Sequence, residues 1–179
     1  TNVLLTRSLA CDGVGEITDF MPVADLYLGK ELVRSVGCVR GSLTFKMECK
    51  PRFDYGRATH TVEQINSKEV LIRSKGSDGS VLRLRSTAEL KVVDNDIAAT
   101  FTLKTGEKET FILQFETGEP VGSVPPEEFA TQTLYDTINY WKDWVSNSQY
   151  RGRWVEIINR SALVLKLMTS RKNGSIVAA

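Results

Sequence analysis

The chain has 179 residues, 23 basic against 22 acidic side chains for a formal net charge of +1, and an apolar fraction of 41%. Length and apolar content suit one packed domain, or one domain with an appendage. Charges of both signs are interspersed and no apolar run nears the roughly 20 residues that span a bilayer, which speaks against nucleic-acid and membrane roles.

From the first residue to about Glu119 the sequence predicts strands separated by turns. "GVG" at Gly13, Val14 and Gly15 has no helix after it and is expected to be a turn, not a phosphate loop. Asp19, in "EITDFMPV", is expected to be a strand-end carboxylate that accepts a backbone N–H. The clearest strand covers 43–50. Leu43, Phe45, Met47 and Cys49 alternate with Thr44, Lys46, Glu48 and Lys50, so one face meets a core and the other water.

"CKPRFDYGRA" follows. Pro51 ends the strand because it has no N–H for a ladder. Phe53 and Tyr55 are placed to cover the rim of a core, Gly56 lets the backbone turn, and Arg52, Asp54 and Arg57 are near enough to pair with one another or with a neighbouring domain. A structural corner or interdomain contact is the expected role; a binding loop is the alternative. Leu82 and Leu84 alternate with Arg83 and Arg85, a pair taken as one solvated face. Leu90 and Val92, then Ile97, Ala99, Phe101 and Leu103, then Phe111, Leu113 and Phe115, make further inward rows. Turn signals at Asp12-Gly13, Ser77-Asp78-Gly79, Asp94-Asn95-Asp96 and Thr105-Gly106 separate these runs. Short alternating strands with tight turns mean antiparallel β structure, a sandwich or barrel.

At "TGEPVGSVPPEE" the pattern changes. Pro125 and Pro126 before Glu127 and Glu128 suit a helix start. Leu134, Ile138, Trp141 and Val145 lie on one helical stripe, widened by Tyr140 and Trp144, which is expected to be core and not a sugar platform. The segment 154–170 is expected to be a second helix, with a strand as the alternative that periodicity alone leaves open. Its "ALVLKLM" is apolar almost all round and predicts burial, and Arg171 and Lys172 before Asn173-Gly174 form a helix stop. The domains expected are thus 1–122, a β-sandwich, and 123–179, a helical pair.

Little chemistry is visible. Cys11, Cys38 and Cys49 have no metal spacing and are expected to be reduced thiols of a cytoplasmic protein; His60 is the single histidine. No carboxylates can be paired as acid and base, so no catalytic, cofactor-binding or metal-ligating residue is expected in this stretch. Asn159-Arg160-Ser161 and Asn173-Gly174-Ser175 match the glycosylation pattern by chance, since nothing else points to secretion. The start at Thr1 and the apolar "SIVAA" end are those expected of a piece of something longer.

"EITDFMPV", "PRFDYGRA", "YWKDWVSNSQYRGRW" and the tail from Tyr150 to Ala179, in this order, resemble the bacterial and archaeal glycoside hydrolases of family 15: glucoamylases, glucodextranases and trehalases of that kind. The resemblance covers most of the chain. It implies a mainly β fold: an antiparallel β-super-sandwich, then a linker helix and the first helix of an (α/α)6 catalytic barrel whose remainder is missing here. The family's general acid and base lie in that remainder, so no catalytic residue carries over. What it implies is a non-catalytic scaffold of an inverting α-glucosidic exo-hydrolase, whose partner is its own barrel and which meets oligosaccharide only through it. Arg52, Asp54, Tyr55, Arg57, Trp141 and Trp144 are the expected interdomain contacts. The helices are expected to fold back on the sandwich or pair with a second copy, burying Leu163, Leu165 and Met168, and a sheet edge is expected to stay open to pairing. The alternatives are a stand-alone β-sandwich binding carbohydrate or protein, and a complete enzyme using Asp19, Asp54 or His60.

Overall fold

A computed structural model of the chain describes residues 1–23, 30–116, 124–170 and 173–176. Among these, nine strands come first: β1 (Leu4–Ala10), β2 (Gly13–Phe20), β3 (Glu31–Cys49), β4 (His60–Asn66), β5 (Glu69–Ser74), β6 (Val81–Ser86), β7 (Lys91–Val93), β8 (Asp96–Lys104) and β9 (Lys108–Phe115). Two helices follow, α1 (Pro126–Ser146) and α2 (Val155–Leu167). All the strand pairings are antiparallel, and the predicted β-rich region followed by a helical pair is the fold observed. The expected domain break at 122/123 lies outside the described residues.

Strand β3 explains the architecture. Its first half pairs with β2 and β9 inside a sheet of order β1-β2-β3-β9-β6-β5-β4. Its second half, from Ser42, pairs instead with β8, which carries β7. One 19-residue strand thereby passes from one layer to the other. The switch sits at Gly41, whose φ is +82° and which faces Gly13 on β2. "GVG" is therefore the start of β2 and not a turn. The turn is at Cys11 and Asp12, and Gly13 is a glycine because the carbonyl of Arg40 occupies the space a Cβ would need.

The main core lies between the layers. Val36, Val70, Ile72, Leu84, Ile97, Ala99, Leu103 and Phe111 are buried there, with Leu43, Phe45, Met47 and Cys49 packed against them from the predicted inward face of 43–50. Fully burying one such aliphatic side chain contributes about 1.5–3 kcal/mol, whereas an exposed ion pair contributes about 0–1 kcal/mol. The inter-layer core therefore outweighs the many charge pairs on the rim. The inward rows hold along most of their length, but Val92 and Phe115 end exposed.

Helix α1 covers the other face of the larger sheet. Phe20, Val33 and Ile112 form a second cluster with Ala130, and Val3, Phe129 and Leu134 pack around it. This is why β9 is buried on both faces. Pro126 stands at the helix start with Glu127 and Glu128 in the first turn, as the sequence predicts. The most buried line of α1, however, is Ala130, Thr133, Thr137 and Trp141; Leu134, Ile138 and Val145 flank it. Small side chains let the helix approach the sheet closely, and Thr133 satisfies its hydroxyl by donating to the carbonyl of Phe129 at 2.7 Å.

The reading of Arg83 and Arg85 is also corrected. They do not form a solvated face. Arg83 is mostly buried between Glu69 and Glu116, and the guanidinium of Arg85 lies 5.9 Å from the Phe129 ring of α1 and donates to the carbonyl of Val124.

Helix α2 departs most from expectation. Leu163 is buried, but Ile157, Val164, Leu165, Leu167 and Met168 are exposed. The fold-back covers one side only, where Leu163 and Trp141 border a cavity of about 480 Å³ and Asn2 donates to the carbonyl of Leu163. The helix ends at Leu167, so Asn173-Gly174 is not its stop. Those residues make a separate turn closed by a Thr169–Ile176 bridge, and Arg171 and Lys172 lie outside the described residues. At the far edge of the large sheet, β1 pairs with β2 alone and is exposed from end to end.

Candidate functional site

The stretch after β3 folds into a tight lap. Phe53 is buried in the inter-layer core and bridges to Ala58, and the N–H groups of Gly56 and Ala58 both donate to its carbonyl. Between those anchors Asp54, Tyr55 and Gly56 have φ of 47°, 55° and 83°. Left-handed backbone costs an L residue roughly 1–2 kcal/mol, and Tyr55 recovers none of it by packing, being 96% exposed.

Charged groups brace both sides of the lap. Arg57 pairs with Asp54 at 2.8 Å, donates to the carbonyl of Asp54 at 3.2 Å, and sets its guanidinium 5.7 Å from the centre of the Tyr55 ring. Arg52 does not pair with Asp54. It forms a two-pronged pair with Asp96 at 3.0 and 3.3 Å, which holds the Asp96 carboxyl below its ordinary range. His60 packs edge-on against Phe53 and donates from Nε2 to the carbonyl of Asn95 at 2.6 Å, pinning the β7–β8 turn in which Asp94 and Asn95 are left-handed. Asp96 was visible in the sequence only as a turn residue; its position opposite Arg52 is a product of the two-layer topology.

Beside the lap, the open end of the sandwich holds a cleft of about 430 Å³. Met47, Phe53, Leu84 and Leu113 line it, with Arg34 and Arg52 among its charged residues. Burial, and secondarily the charge of Asp96, pushes the Cys49 thiol up to about 11. A second groove, of about 640 Å³, runs between α1 and the sheet past Thr18, Ser35, Thr110, Leu134 and Tyr135.

The remaining candidates do not assemble into a reacting centre. Asp19 accepts from both ends of the Arg34 guanidinium, at 2.7 and 2.9 Å, where a backbone partner was expected. Asp54 is held by Arg57. No hydrogen bond or ion pair among the described residues joins His60 to Asp19, Asp54 or a thiol, and no described group of His, Cys, Asp and Glu is placed to hold a metal. Trp141 is buried on α1, edge-on to both Tyr140 and Trp144, and Trp144 is half-buried. The expected contact residues thus separate into the lap (Arg52, Asp54, Tyr55, Arg57) and the α1–α2 junction (Trp141, Trp144). None of the described helices is long and apolar enough to cross a membrane.

The class defined so far is a two-layer antiparallel β-sandwich with a helical arm and a strained, exposed lap. Comparison with known proteins narrows it. No family model matches the chain. The chain is 28% identical over 155 residues to a trehalase of Mycobacterium tuberculosis, an alignment taking in 83% of this chain and 22% of that protein. It is 28% identical over 152 residues to a trehalase of Mycolicibacterium smegmatis, with the same coverage. Over its full length it is 26% identical to a trehalase of Thermoplasma volcanium, of which it spans 28%. The chain therefore spans less than a third of the length of these relatives, and the similarity supports a relationship to trehalase-like glycoside hydrolases.

Proposed function

We propose that these residues form the non-catalytic scaffold of a longer glycoside hydrolase of the family 15 type, which cleaves an α-glucosidic bond in trehalose or a starch-type oligosaccharide. Water displaces the leaving sugar directly, inverting the anomeric centre. The sandwich, proposed to cover 1–122, braces a catalytic barrel, and the helical arm, 123–179, leads into it. A cytoplasmic setting belongs to the same proposal and rests on the three free thiols.

The observation that carries this is helix α2. Its apolar side chains Ile157, Leu165 and Leu167 are each more than half exposed, in a chain that spans under a third of its trehalase relatives. So many large apolar side chains left exposed on one helix mark an interaction site. The lap supplies a second contact through Arg52, Asp54 and Arg57, and Trp141 and Trp144 stiffen the arm from within. A free-standing sugar-binding sheet is less well supported, because the described strands carry no Trp or Tyr.

The test is proton NMR of trehalose and maltose incubated with the natural chain that contains these residues. From trehalose, inversion predicts α- and β-glucose in equal amounts before mutarotation, because only the attacked anomeric carbon inverts and the leaving glucose keeps its α configuration; from maltose it predicts β-glucose from the non-reducing end. Only α-glucose at early times would refute direct displacement, and no cleavage of either sugar would refute the hydrolase assignment.

A further inference from the structure

Docking alone does not require the backbone of the lap. An aliphatic side chain on ordinary backbone would serve a protein contact as well, yet three left-handed residues in succession present a tyrosine ring to solvent. Such conformations persist where their surroundings over-determine them, and they gather at ligand clamps. Here the surroundings do so: Phe53 anchors the base in the core, Arg52 ties it to Asp96, and His60 backs Phe53. The Asp54–Arg57 pair holds a guanidinium over the ring. The outcome is a rigid tip with an aromatic surface whose position is set before anything binds. A flat apolar ring with a hydroxyl at its edge matches the C–H face and hydroxyl rim of a pyranose.

We infer that Tyr55 is a sugar-contact residue of the assembled hydrolase, its ring stacking on a pyranose ring of the bound disaccharide. Asp54 and Arg57 are positioning residues that hold the ring. This rests on the hydrolase assignment above and deepens it: the scaffold itself contributes a surface to substrate recognition.

The experiment uses the natural chain containing these residues, with trehalose and maltose as probes. Calorimetry gives Kd, thermal melting gives Tm, and a fluorotyrosine at position 55 gives a resonance that is independent of turnover. Tyr55→Ala is expected to weaken binding about tenfold with Tm changed by under about 2 °C. Tyr55→Phe, which keeps the ring, recovers most of the affinity, and the fluorine resonance moves on titration with sugar. A protein that binds sugar while the resonance stays still and Tyr55→Ala binds as wild type overturns the role of Tyr55 alone. A wild-type protein that binds neither sugar overturns the hydrolase assignment and Tyr55 with it.

Discussion

Single residues in this chain are set by space and charge that only the folded pairing creates. Gly41 and Gly56 have nearly the same φ, +82° and +83°, but different surroundings. A Cβ on Gly56 meets open space, while one on Gly41 collides with the carbonyl of Asp12. Gly56→Ala is therefore expected to cost about 1 kcal/mol, from backbone strain alone. Gly41→Ala should cost at least about 3 kcal/mol, because the crossing between layers must shift; urea melts of the two variants check the ranking. Thiol chemistry separates in the same way. Cys11 is exposed, Cys38 is buried, and Cys49 has its pKa pushed up to about 11 by burial. Iodoacetamide at pH 8 should label Cys11 first and leave Cys49 nearly untouched; rapid labelling of Cys49 would contradict its placement. Arg57 links the lap to its proposed docking surface. In the proposed longer chain Arg57→Ala should lower Tm by a few degrees while changing sugar affinity less than Tyr55→Ala does.

Elements were legible in the sequence wherever one face is wet. The alternation of 43–50 shows in its residues because Thr44, Lys46 and Glu48 stay in water. Strand β9 shows its row of Phe111, Leu113 and Phe115 in the same way, but not that Thr110, Ile112 and Gln114 on its other face are buried too, beneath α1. Arg83 and Arg85 misled: two arginines on alternate positions suggest solvent, but Arg83 lies between Glu69 and Glu116, and the helix beside Arg85 begins some forty residues further on. On α1 the eye goes to Leu134 and Ile138, but close packing against a sheet selects Ala130, Thr133 and Thr137. Burial on the α1 side of the sheet also has a pH consequence. Desolvation raises the pKa of Glu31 above its ordinary 4.5, and the charge of Arg85 offsets this only in part. A raised folded-state pKa means that folding favours the protonated form. That stabilisation is full below about 4.5 and is lost as pH rises through the folded value. Glu31→Gln removes the titration, so its stability relative to wild type should grow from pH 4 to pH 7. Denaturant melts at the two pH values measure it, and a gap that shrinks with pH would contradict the sign. Asp96 behaves oppositely: Arg52 depresses its pKa, so its contribution is present above the ordinary 3.8 and disappears as pH falls through the folded value.

At the scale of the whole molecule, the molecule divides its apolar surface unevenly. The inter-layer core and the α1 cover are closed, whereas α2 keeps only Leu163 inside and β1 leaves a bare edge. Periodicity alone decided neither helix against strand for α2 nor which side would be wet, because "ALVLKLM" is apolar in nearly every direction. Nor could the lap be assembled from sequence, since Asp96 reaches it from a strand some forty residues further along the chain. A second copy covering α2 is the rival to a catalytic barrel, and a concentration-dependent mass that burial of Leu165 accompanies would favour it. The central claim is that these residues support catalysis without performing it. The direct measurement is glucose release from trehalose by the 179-residue chain alone, beside the proposed longer chain at equal concentration. Turnover by the longer chain and none by the shorter is the predicted result; turnover by the 179 residues alone would contradict it.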